Sequence, residues 1–380
     1  KVRIFNPEIQ SHGWESKFTV VAVLCRGIPF CTASVRGELN RRNLRIHTIA
    51  SCNLPVLRGE DGVMTSVLND ADGGHNNRPE EAVLYFEIGR HSDARDMEEL
   101  RNAIVDILDE VGIVVDDFPA MCDRLLEVDA VIRSSECIEA DLRDEASAFI
   151  RWMQHAHMTL LGYEFLKVER KGAVIKRIEV DKAASLGLLR DRVTRGADDL
   201  RADLEHMSID EMHRRQLSFS KSRHRSRVHR LTYPDYVEVR EFNESGEVIG
   251  QHRFIGLYTS SVYTTDPRLI PILRRKVDRV LEMSLMDWSD HESRELVRVL
   301  ELFPRDELFQ SSIQELFDTV TAVNRIQERR QTRLFVRRDV HSKFVNCLVY
   351  VPRDRYTTEQ REKFEHILTE AFDAEESEFT

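Results

Sequence analysis

Residues 256–277 read Gly256-Leu-Tyr-Thr-Ser-Ser-Val-Tyr-Thr-Thr-Asp-Pro-Arg-Leu-Ile-Pro-Ile-Leu-Arg-Arg-Lys-Val277 and join two kinds of pattern. The first residues are typical of the end of a buried strand, and a turn rich in Ser, Thr and Asp follows. A helix is then predicted from about Pro267, because the first helical turn accepts a proline and Asp266 is a suitable N-cap. The apolar positions of this helix share one face, at Ile270, Leu273, Val277 and Leu281. The segment therefore predicts that a sheet ends here and a helical region begins.

Length and composition predict a soluble protein of two or three domains, since 380 residues exceed one ordinary core. The apolar and charged fractions, 41% and 32%, are typical of folded proteins. A net charge of −11 argues against a general nucleic-acid-binding protein, because such proteins need a basic surface. The sequence holds neither an apolar run of membrane-spanning length nor a secretory signal pattern. We therefore expect a cytoplasmic protein without a membrane partner.

The cysteines and the chain ends add two expectations. Six cysteines, at 25, 31, 52, 122, 137 and 347, lack the close pairing of a metal site. We expect them to be reduced, mostly buried thiols, with no bound metal.

The chain starts at Lys1 without a methionine and stops at Thr380 soon after a helical pattern. This indicates a piece of a longer protein.

The first 118 residues predict a short lead-in, residues 1–17, with a short strand pattern at Val2–Phe5, followed by one small α+β unit, residues 18–118. Strand and helix patterns alternate in that unit as strand 18–24, helix 28–43, strand 44–53, loop 57–81, strand 83–88, helix 97–111 and strand 113–115. This is the βαββαβ order of a ferredoxin-like domain. A tight turn, Cys25-Arg26-Gly27-Ile28-Pro29, joins the first strand to the first helix.

Small modules with this order and a glycine turn after the first strand resemble ACT domains, which sense amino acids. The resemblance implies an amino-acid effector near the turn, and the candidate residues are Arg26, Gly27, Ile28 and Pro29. It also implies pairing with further copies through sheet edges or helices. The same fold hosts many functions, so a purely structural module remains the alternative.

The middle of the chain predicts a helical linker, residues 119–158, and a second α+β domain, residues 159–266, with a PAS-like outline. Its sheet is predicted as an antiparallel meander, with strands at 217–231, 235–243 and 248–257. The pair His155 and His157 lacks a third ligand and predicts no metal site.

The first strand of that meander carries the most basic run of the chain. Strand alternation places Lys221, Arg223, Arg225 and Arg227 on one face. A solvated strand face is one interpretation. The other is a site for an anionic effector, or for an acidic patch on another domain.

The last third predicts a helical connection, residues 267–329, and a second ACT-like unit, residues 330–380. That unit has a hairpin over 333–351, a helix over 357–372 and a strand from Ser377, and its remaining strands are expected beyond Thr380. Within the connection, arginines are predicted to form ion pairs between domains, at Arg268, Arg274 and Arg275.

Three long motifs resemble the large NAD-specific glutamate dehydrogenases of bacteria. They are the Gly256–Val277 segment, Pro304-Arg-Asp-Glu-Leu-Phe-Gln310, and Arg333-Leu-Phe-Val-Arg-Arg-Asp339 followed by Phe344-Val-Asn-Cys-Leu-Val-Tyr-Val-Pro-Arg-Asp-Arg-Tyr356. The resemblance implies an N-terminal portion with several ACT-like domains that forms homo-oligomers. It also implies a catalytic domain further along the chain, which oxidises L-glutamate to 2-oxoglutarate and ammonia with NAD.

The residues themselves predict no chemistry in this segment. The sixteen glycines include no G-x-G-x-x-G fingerprint, so we assign no NAD-binding, catalytic or metal-binding residue and expect the segment alone to be inactive. A stand-alone amino-acid-sensing protein is the alternative function. An enzyme that uses Asp235 and Glu238 beside Tyr236 is a third, although carboxylates on a strand are usually solvated.

Overall fold

The computed structural model describes residues 1–67, 80–171, 174–190, 196–284, 291–327 and 331–379, and the strands in these ranges form three antiparallel sheets. The predicted α+β class, with helices between the sheets, is confirmed. Among the described residues, no helix is long and apolar enough to cross a membrane.

The first sheet has five strands in the order β1-β2-β5-β3-β4. Their bounds are β1 Val2–Phe5, β2 Thr19–Arg26, β3 Ile46–Arg58, β4 Met64–Val67 and β5 Glu80–Ile88. Three helices accompany them, namely α1 Ile9–His12, α2 Cys31–Arg41 and α3 Ala94–Ser134. Because side chains alternate along a strand, β5 presents one wholly buried apolar row to α2 and α3, made of Ala82, Leu84, Phe86 and Ile88.

Two predictions in this unit were wrong, namely a strand over 113–115 and a loop without strands over 57–81. Residues 113–115 are not a strand, because α3 runs straight through them with Val111 and Val114 buried at helical spacing. The edge position beside β2 is taken instead by β1, the short strand at Val2–Phe5 of the lead-in, with Val2 opposite Val23. The predicted loop over 57–81 also contains β4, which pairs with β3; residues 68–79 lie outside the described residues.

The 41-residue helix α3 connects two hydrophobic cores. At about 1.5 Å per residue it is roughly 60 Å long. Its first half packs on the first sheet, through Leu100, Ile104, Ile107 and Val111. Its second half packs into the middle core, through Met121, Leu125, Val128 and Ile132. One continuous element therefore sets the position of the first unit against the middle one.

The middle sheet has the order β7-β6-β11-β10-β9, with β8 paired to β6. Its elements are α4 Ala140–Trp152, a π-helical turn Met153–His157, β6 Met158–Lys171, β7 Val174–Val180, β8 Leu186–Gly187, α5 Gly196–His206, α6 Ile209–Arg214, β9 Leu217–Lys221, β10 Asp235–Phe242 and β11 Val248–Tyr258. The predicted meander of β9, β10 and β11 is confirmed.

The basic strand, however, is shorter than predicted. β9 ends at Lys221, opposite Asp235, and residues 222–232 form an irregular segment that we name the basic loop. Pro234 directly precedes β10 and has no N–H to donate to β9. The regular pairing of the two strands therefore ends at Lys221 and Asp235. The predicted alternation of arginines on one strand face is therefore wrong.

The helical region and the C-terminal unit follow. Their elements are α7 Ser260–Thr264, a 3₁₀ turn Pro267–Leu269, α8 Leu273–Met283, α9 His291–Leu302, α10 Arg305–Gln310, α11 Ile313–Gln327, β12 Arg333–Arg338, β13 Val345–Tyr350 and α12 Thr358–Ala371. Asp266 does accept a hydrogen bond from the Arg268 N–H at 2.9 Å, yet it caps only the 3₁₀ turn.

The helix predicted from Pro267 begins six residues later, at Leu273. Pro271 is the reason, because a proline forces the residue before it out of the helical region, and Ile270 is extended. The strand predicted from Ser377 is also absent, since residues 375–379 adopt no regular structure.

Candidate functional site

The glycine turn between β2 and α2 is shaped by close packing on β5. The Gly27 N–H donates to the Glu80 carbonyl oxygen at 2.7 Å, and a Cβ added at Gly27 would lie 2.8 Å from the Glu80 Cβ. Arg26 is exposed and pairs with Asp116 through two contacts of 2.8 Å. The turn ends at Phe30, whose φ of 73° lies in the left-handed region and starts α2.

The basic loop of the middle domain docks at this end of the turn. The His229 N–H donates to Ser34 Oγ at 2.9 Å, and the rings of His229 and Phe30 lie 4.7 Å apart between centroids. Between these contacts Val228 is fully buried in the first hydrophobic core. The two segments predicted as effector sites are therefore neighbours, and they meet through Phe30 and His229 rather than through the predicted residues.

Arg227 fixes the loop to α3. Its Nη2 donates to the Ala103 carbonyl oxygen at 3.0 Å, and its Nη1 lies 3.6 Å from Glu110 Oε1. On the other side Arg230 donates to the Tyr258 carbonyl oxygen at 2.6 Å, which ties the loop back to β11. One acidic side chain, Glu110, and two backbone carbonyl oxygens are thus the partners of these two arginines.

Arg225 points the other way, toward the acidic segment 375–378. It stacks over the Tyr233 ring at 5.0 Å and lies 3.7 Å from Glu376. The Tyr233 hydroxyl donates to the same Glu376 carboxylate, and Thr232 donates to Glu378 at 3.3 Å. The basic loop thus contacts the first unit, the middle sheet and the C-terminal unit together.

The seven residues predicted as an effector or interface site therefore fall into three groups. Arg225 and Arg227 make contacts between units, whereas Arg223 and Arg26 are exposed. Gly27, Ile28 and Pro29 shape the turn. An effector at any of them stays a prediction. The residues that hold the contact, Phe30, Ser34 and His229, carried no sequence signal, although the acidic run Glu375-Glu376-Ser377-Glu378 was visible as a complement to the arginines.

A second feature is the charged face of the middle sheet. The Arg253 side chain is almost wholly buried and contacts Glu164 on β6 and, at 3.0 Å, Glu238 on β10, while its guanidinium lies 4.2 Å from the centre of the Tyr236 ring. Burial works against the charged form of Glu238, yet Arg253 and Lys343 hold its pKa below the ordinary value. Paired charges in the interior are stable only when such partners are in place.

This charged face is covered by α5 and by the turn between β12 and β13. Lys343 Nζ lies 2.7 Å from Asp199 Oδ2, and His341 Nε2 lies 3.9 Å from Asp203, which in turn pairs with Arg240. The C-terminal hairpin is therefore held on the middle sheet by buried ion pairs as well as by the acidic segment at the basic loop.

The two carboxylates considered for an independent enzyme are structural, and the expectation that they are solvated was wrong. Asp235 and Glu238 are both buried. Asp235 lies 3.0 Å from Lys221 Nζ, and Asp306 lies 2.9 Å from the same nitrogen. Burial raises the pKa of Asp235 to about 7, against the pull of Lys221. Both carboxylates are thus committed to ion pairs.

The predicted ion pair between domains is present for Arg274, whereas the partner of Arg268 lies within the same helical connection. Arg274 contacts Glu145 on α4 at 2.5 Å, and the same carboxylate accepts the Ile272 N–H at 2.8 Å. Arg268 pairs with Glu301 at 2.9 Å. The described part of the chain shows no ion pair for Arg275. Where the chain is described, no group of three or more His, Cys, Asp or Glu side chains is placed to hold a metal.

Comparison with known proteins identifies the chain by three family models. Residues 1–104 match the model for the glutamate dehydrogenase ACT1 domain, residues 270–329 the model for glutamate dehydrogenase helical motif 1, and residues 333–380 the model for the glutamate dehydrogenase ACT2 domain. Together these matches cover more than half of the chain. The chain belongs to the glutamate dehydrogenase family. The resemblance inferred from the three motifs is thereby confirmed, and so are ACT domains at both ends.

Whole-chain comparison agrees. The NAD-specific glutamate dehydrogenase of Halomonas elongata is 37% identical over 380 residues, which cover 98% of this chain and 23% of that protein. The enzyme of Pseudomonas aeruginosa with the same name is 40% identical over 384 residues, covering 100% and 23%. That of Mycobacterium tuberculosis is 30% identical over 349 residues, covering 91% and 20%. The chain therefore spans about a quarter of the length of these relatives.

Proposed function

We propose that this chain is the regulatory and assembly segment of an NAD-dependent glutamate dehydrogenase. The whole protein would convert L-glutamate and NAD to 2-oxoglutarate, ammonia and NADH in the cytoplasm. NAD would bind to a C-terminal catalytic domain outside this segment, because no dinucleotide fingerprint occurs in these 380 residues. The names and the coverage of the matched relatives support this proposal.

The observation that carries the proposal is the way the ACT units are joined. The ACT1 unit, the middle sheet and the ACT2 unit meet at the basic loop through Arg225, Arg227 and His229. A conformational change in one unit would therefore alter its contacts with the next. Regulation of a distant active site requires that two sites be coupled through such contacts.

The ligand and the partners follow from the same arrangement. An amino-acid effector would bind near the glycine turn at Arg26–Pro29, where a carboxylate could replace Asp116 on the exposed Arg26 guanidinium. Further copies of the chain would pair through the ACT units to form a homo-oligomer. The stand-alone sensing protein is disfavoured, since the matched relatives are about four times as long.

Two measurements test this function. The first follows NADH formation from L-glutamate and NAD, by this chain alone and by the full-length protein. The proposal predicts formation by the full-length protein only, and turnover by the chain alone would refute it.

The second is calorimetry of the chain with each of the common amino acids, and with Arg26→Ala as the variant and Arg223→Ala as the exposed control. The effector site is supported if an amino acid binds to the native chain and to Arg223→Ala but not to Arg26→Ala. Absence of heat with every amino acid leaves the segment an assembly module and removes the effector from the proposal.

A further inference from the structure

A cavity of about 290 Å³ lies in the ACT1 unit, at the end of the sheet opposite the glycine turn. Thr19 at the start of β2 and Ile88 at the end of β5 contribute to its lining, whereas the glycine turn follows the other end of β2. The C-terminal end of α2, at Arg42, and the first turns of α3, at Asp96 and Met97, complete the walls. The cavity therefore occupies the gap between the ends of two helices.

Most of the lining is apolar. Five side chains provide it, namely Ile4, Leu44, Ile88, Met97 and Leu100. Ile88 and Leu100 are buried, and the other three are half-buried. The His91 N–H donates to Thr19 Oγ1 at 2.8 Å, which fixes the connection between β5 and α3 as one wall. The shape of the cavity is thus set by the fold itself, as is usual for sites that bind small molecules.

Three polar side chains share the lining with this apolar surface, namely Arg42, His91 and Asp96. Asp96 is exposed, and its carboxylate forms no hydrogen bond or ion pair with any residue that the structure describes. The Nε of Arg42 donates to Glu38 at 2.8 Å, and its two terminal nitrogens have no partner in the described ranges. A cation and an anion with unused hydrogen-bonding capacity therefore line the same apolar cavity.

We propose that this cavity binds an apolar α-amino acid. The carboxylate of the ligand would accept hydrogen bonds from the terminal nitrogens of Arg42, and its ammonium group would donate to Asp96. Its aliphatic side chain would displace water from the apolar lining. An acidic side chain would instead be desolvated without a partner beside Ile88 and Leu100, so acidic amino acids should be rejected. The inference goes beyond the effector site proposed at the glycine turn, since it assigns a second site at the far end of β2.

Occupation of this cavity would connect the end of α2 to the start of α3. The Ser34 side chain of α2 accepts the hydrogen bond from His229 of the basic loop, and the second half of α3 packs into the middle core. Both helices thus contact the middle domain. A ligand that holds them in one relative position would therefore stabilise one arrangement of the ACT1 unit on that domain.

Calorimetry of the 380-residue chain with L-leucine and three related compounds tests the site. Isocaproate lacks the ammonium group of leucine, isoamylamine lacks its carboxylate, and L-aspartate replaces its aliphatic side chain with a charged one. We expect L-leucine to bind and each of the other three to bind weaker by roughly tenfold or more, because each loses a hydrogen-bonded charge or the apolar contact. Absence of leucine binding, or equal binding of isocaproate and isoamylamine, would overturn the proposal.

Two matched variants locate the binding. Asp96→Asn should weaken the binding of L-leucine by roughly tenfold or more. It should leave the fold intact, because Asp96 is exposed. The control is Asp106→Asn, an exposed aspartate further along α3 and outside the cavity, which should leave leucine binding unchanged. Equal effects of the two variants would contradict the assignment.

Arg26→Ala separates this site from the glycine turn. We expect leucine binding to persist in that variant, because Arg26 does not line the cavity. Loss of leucine binding in Arg26→Ala would place the ligand at the glycine turn. That result would overturn this inference while leaving the proposed function in place.

Discussion

The first sheet and the middle sheet use the same strand periodicity to build two different interiors. On β5 the buried row is apolar, with Leu84, Phe86 and Ile88 under two helices. On β10 and β11 one buried face of the middle sheet carries Glu238 and Arg253, and its partners come from α5 and from the β12–β13 turn. The opposite face of the same strands is apolar, with Val237, Val239 and Phe254. An apolar face accepts any apolar cover, whereas a charged face needs specific partners. The charged face therefore specifies which unit packs on it.

The largest expected effect is the loss of the central cation of that face. Arg253→Met should destabilise the chain by about 3–5 kcal/mol, because it leaves the buried Glu238 carboxylate without its guanidinium. Urea unfolding followed by the fluorescence of Trp152, which lies in the middle core, measures this change. A loss below about 1 kcal/mol, the value typical of exposed ion pairs, would contradict the account.

The pH dependence of this variant sharpens the comparison. In the native chain folding lowers the pKa of Glu238. Its contribution to the free energy of unfolding is therefore complete above the unfolded pKa of about 4.3 and is lost as the pH falls further. Without Arg253, burial dominates and raises that pKa above the unfolded value. The free energy of unfolding of the variant should therefore rise as the pH falls from 7 toward 4. The difference in this free energy between the variant and the native chain should become smaller.

Phe86→Ala tests the apolar sheet in the same way. The side chain is fully buried, so its removal should cost about 3 kcal/mol through lost burial and the cavity left behind. No charge is involved, and the cost should stay constant from pH 7 to pH 5. Circular dichroism during urea unfolding at both pH values provides the measurement. A cost that changes with pH as steeply as that of Arg253→Met would remove the distinction between the two sheets.

Lys343→Met should have a smaller effect, about 2 kcal/mol, because Asp199 at 2.7 Å loses a buried partner but lies at the rim of the network. Hydrogen exchange of the β12 and β13 amides should become faster while that of β5 stays unchanged. The matched control is Lys363→Met, whose exposed pair with Glu359 contributes only a few tenths of a kcal/mol. Equal effects of the two substitutions would show that the hairpin is not held by the charged face.

The smallest effect is expected at the basic loop. Arg227→Ala should cost about 1 kcal/mol or less, since its pair with Glu110 is half-buried and its hydrogen bond is to one carbonyl oxygen. The exposed Arg223→Ala should change nothing measurable. Thermal unfolding of both variants beside the native chain measures the difference. If Arg223→Ala were the more damaging, the loop would be held differently from this description.

The sequence predicted local periodicity well and distant partners poorly. Content rich in β-branched residues located β2, and helical spacing located the buried face of α3, because each signal lies within the element itself. The replacement of the strand at 113–115 by β1 depends on residues about 110 positions apart, which no local pattern contains. The effect of Pro271 on the start of α8 was readable, because the rule for the residue before proline is local.

The two candidate sites illustrate the same limit. Alternating arginines at 223, 225 and 227 fit a strand as well as a loop. Pro234, which ends the pairing, is a local signal, whereas the docking of His229 on α2 is not. Likewise, Tyr-Val-Glu-Val-Arg on β10 reads as a half-solvated strand. It is buried because Arg253, Lys343 and Asp203 arrive from elsewhere in the chain. The charged residues can be read from the sequence, but the fact that they contact one another in the fold cannot.

The most direct test of the proposed function compares the full-length protein with a form that lacks residues 1–380. Light scattering gives the mass of each form, and NADH formation from L-glutamate is followed with and without added amino acids. The account predicts that removal of this segment changes the assembly state or abolishes the response to amino acids. Unchanged mass and unchanged response in the shortened protein would contradict a regulatory and assembly role.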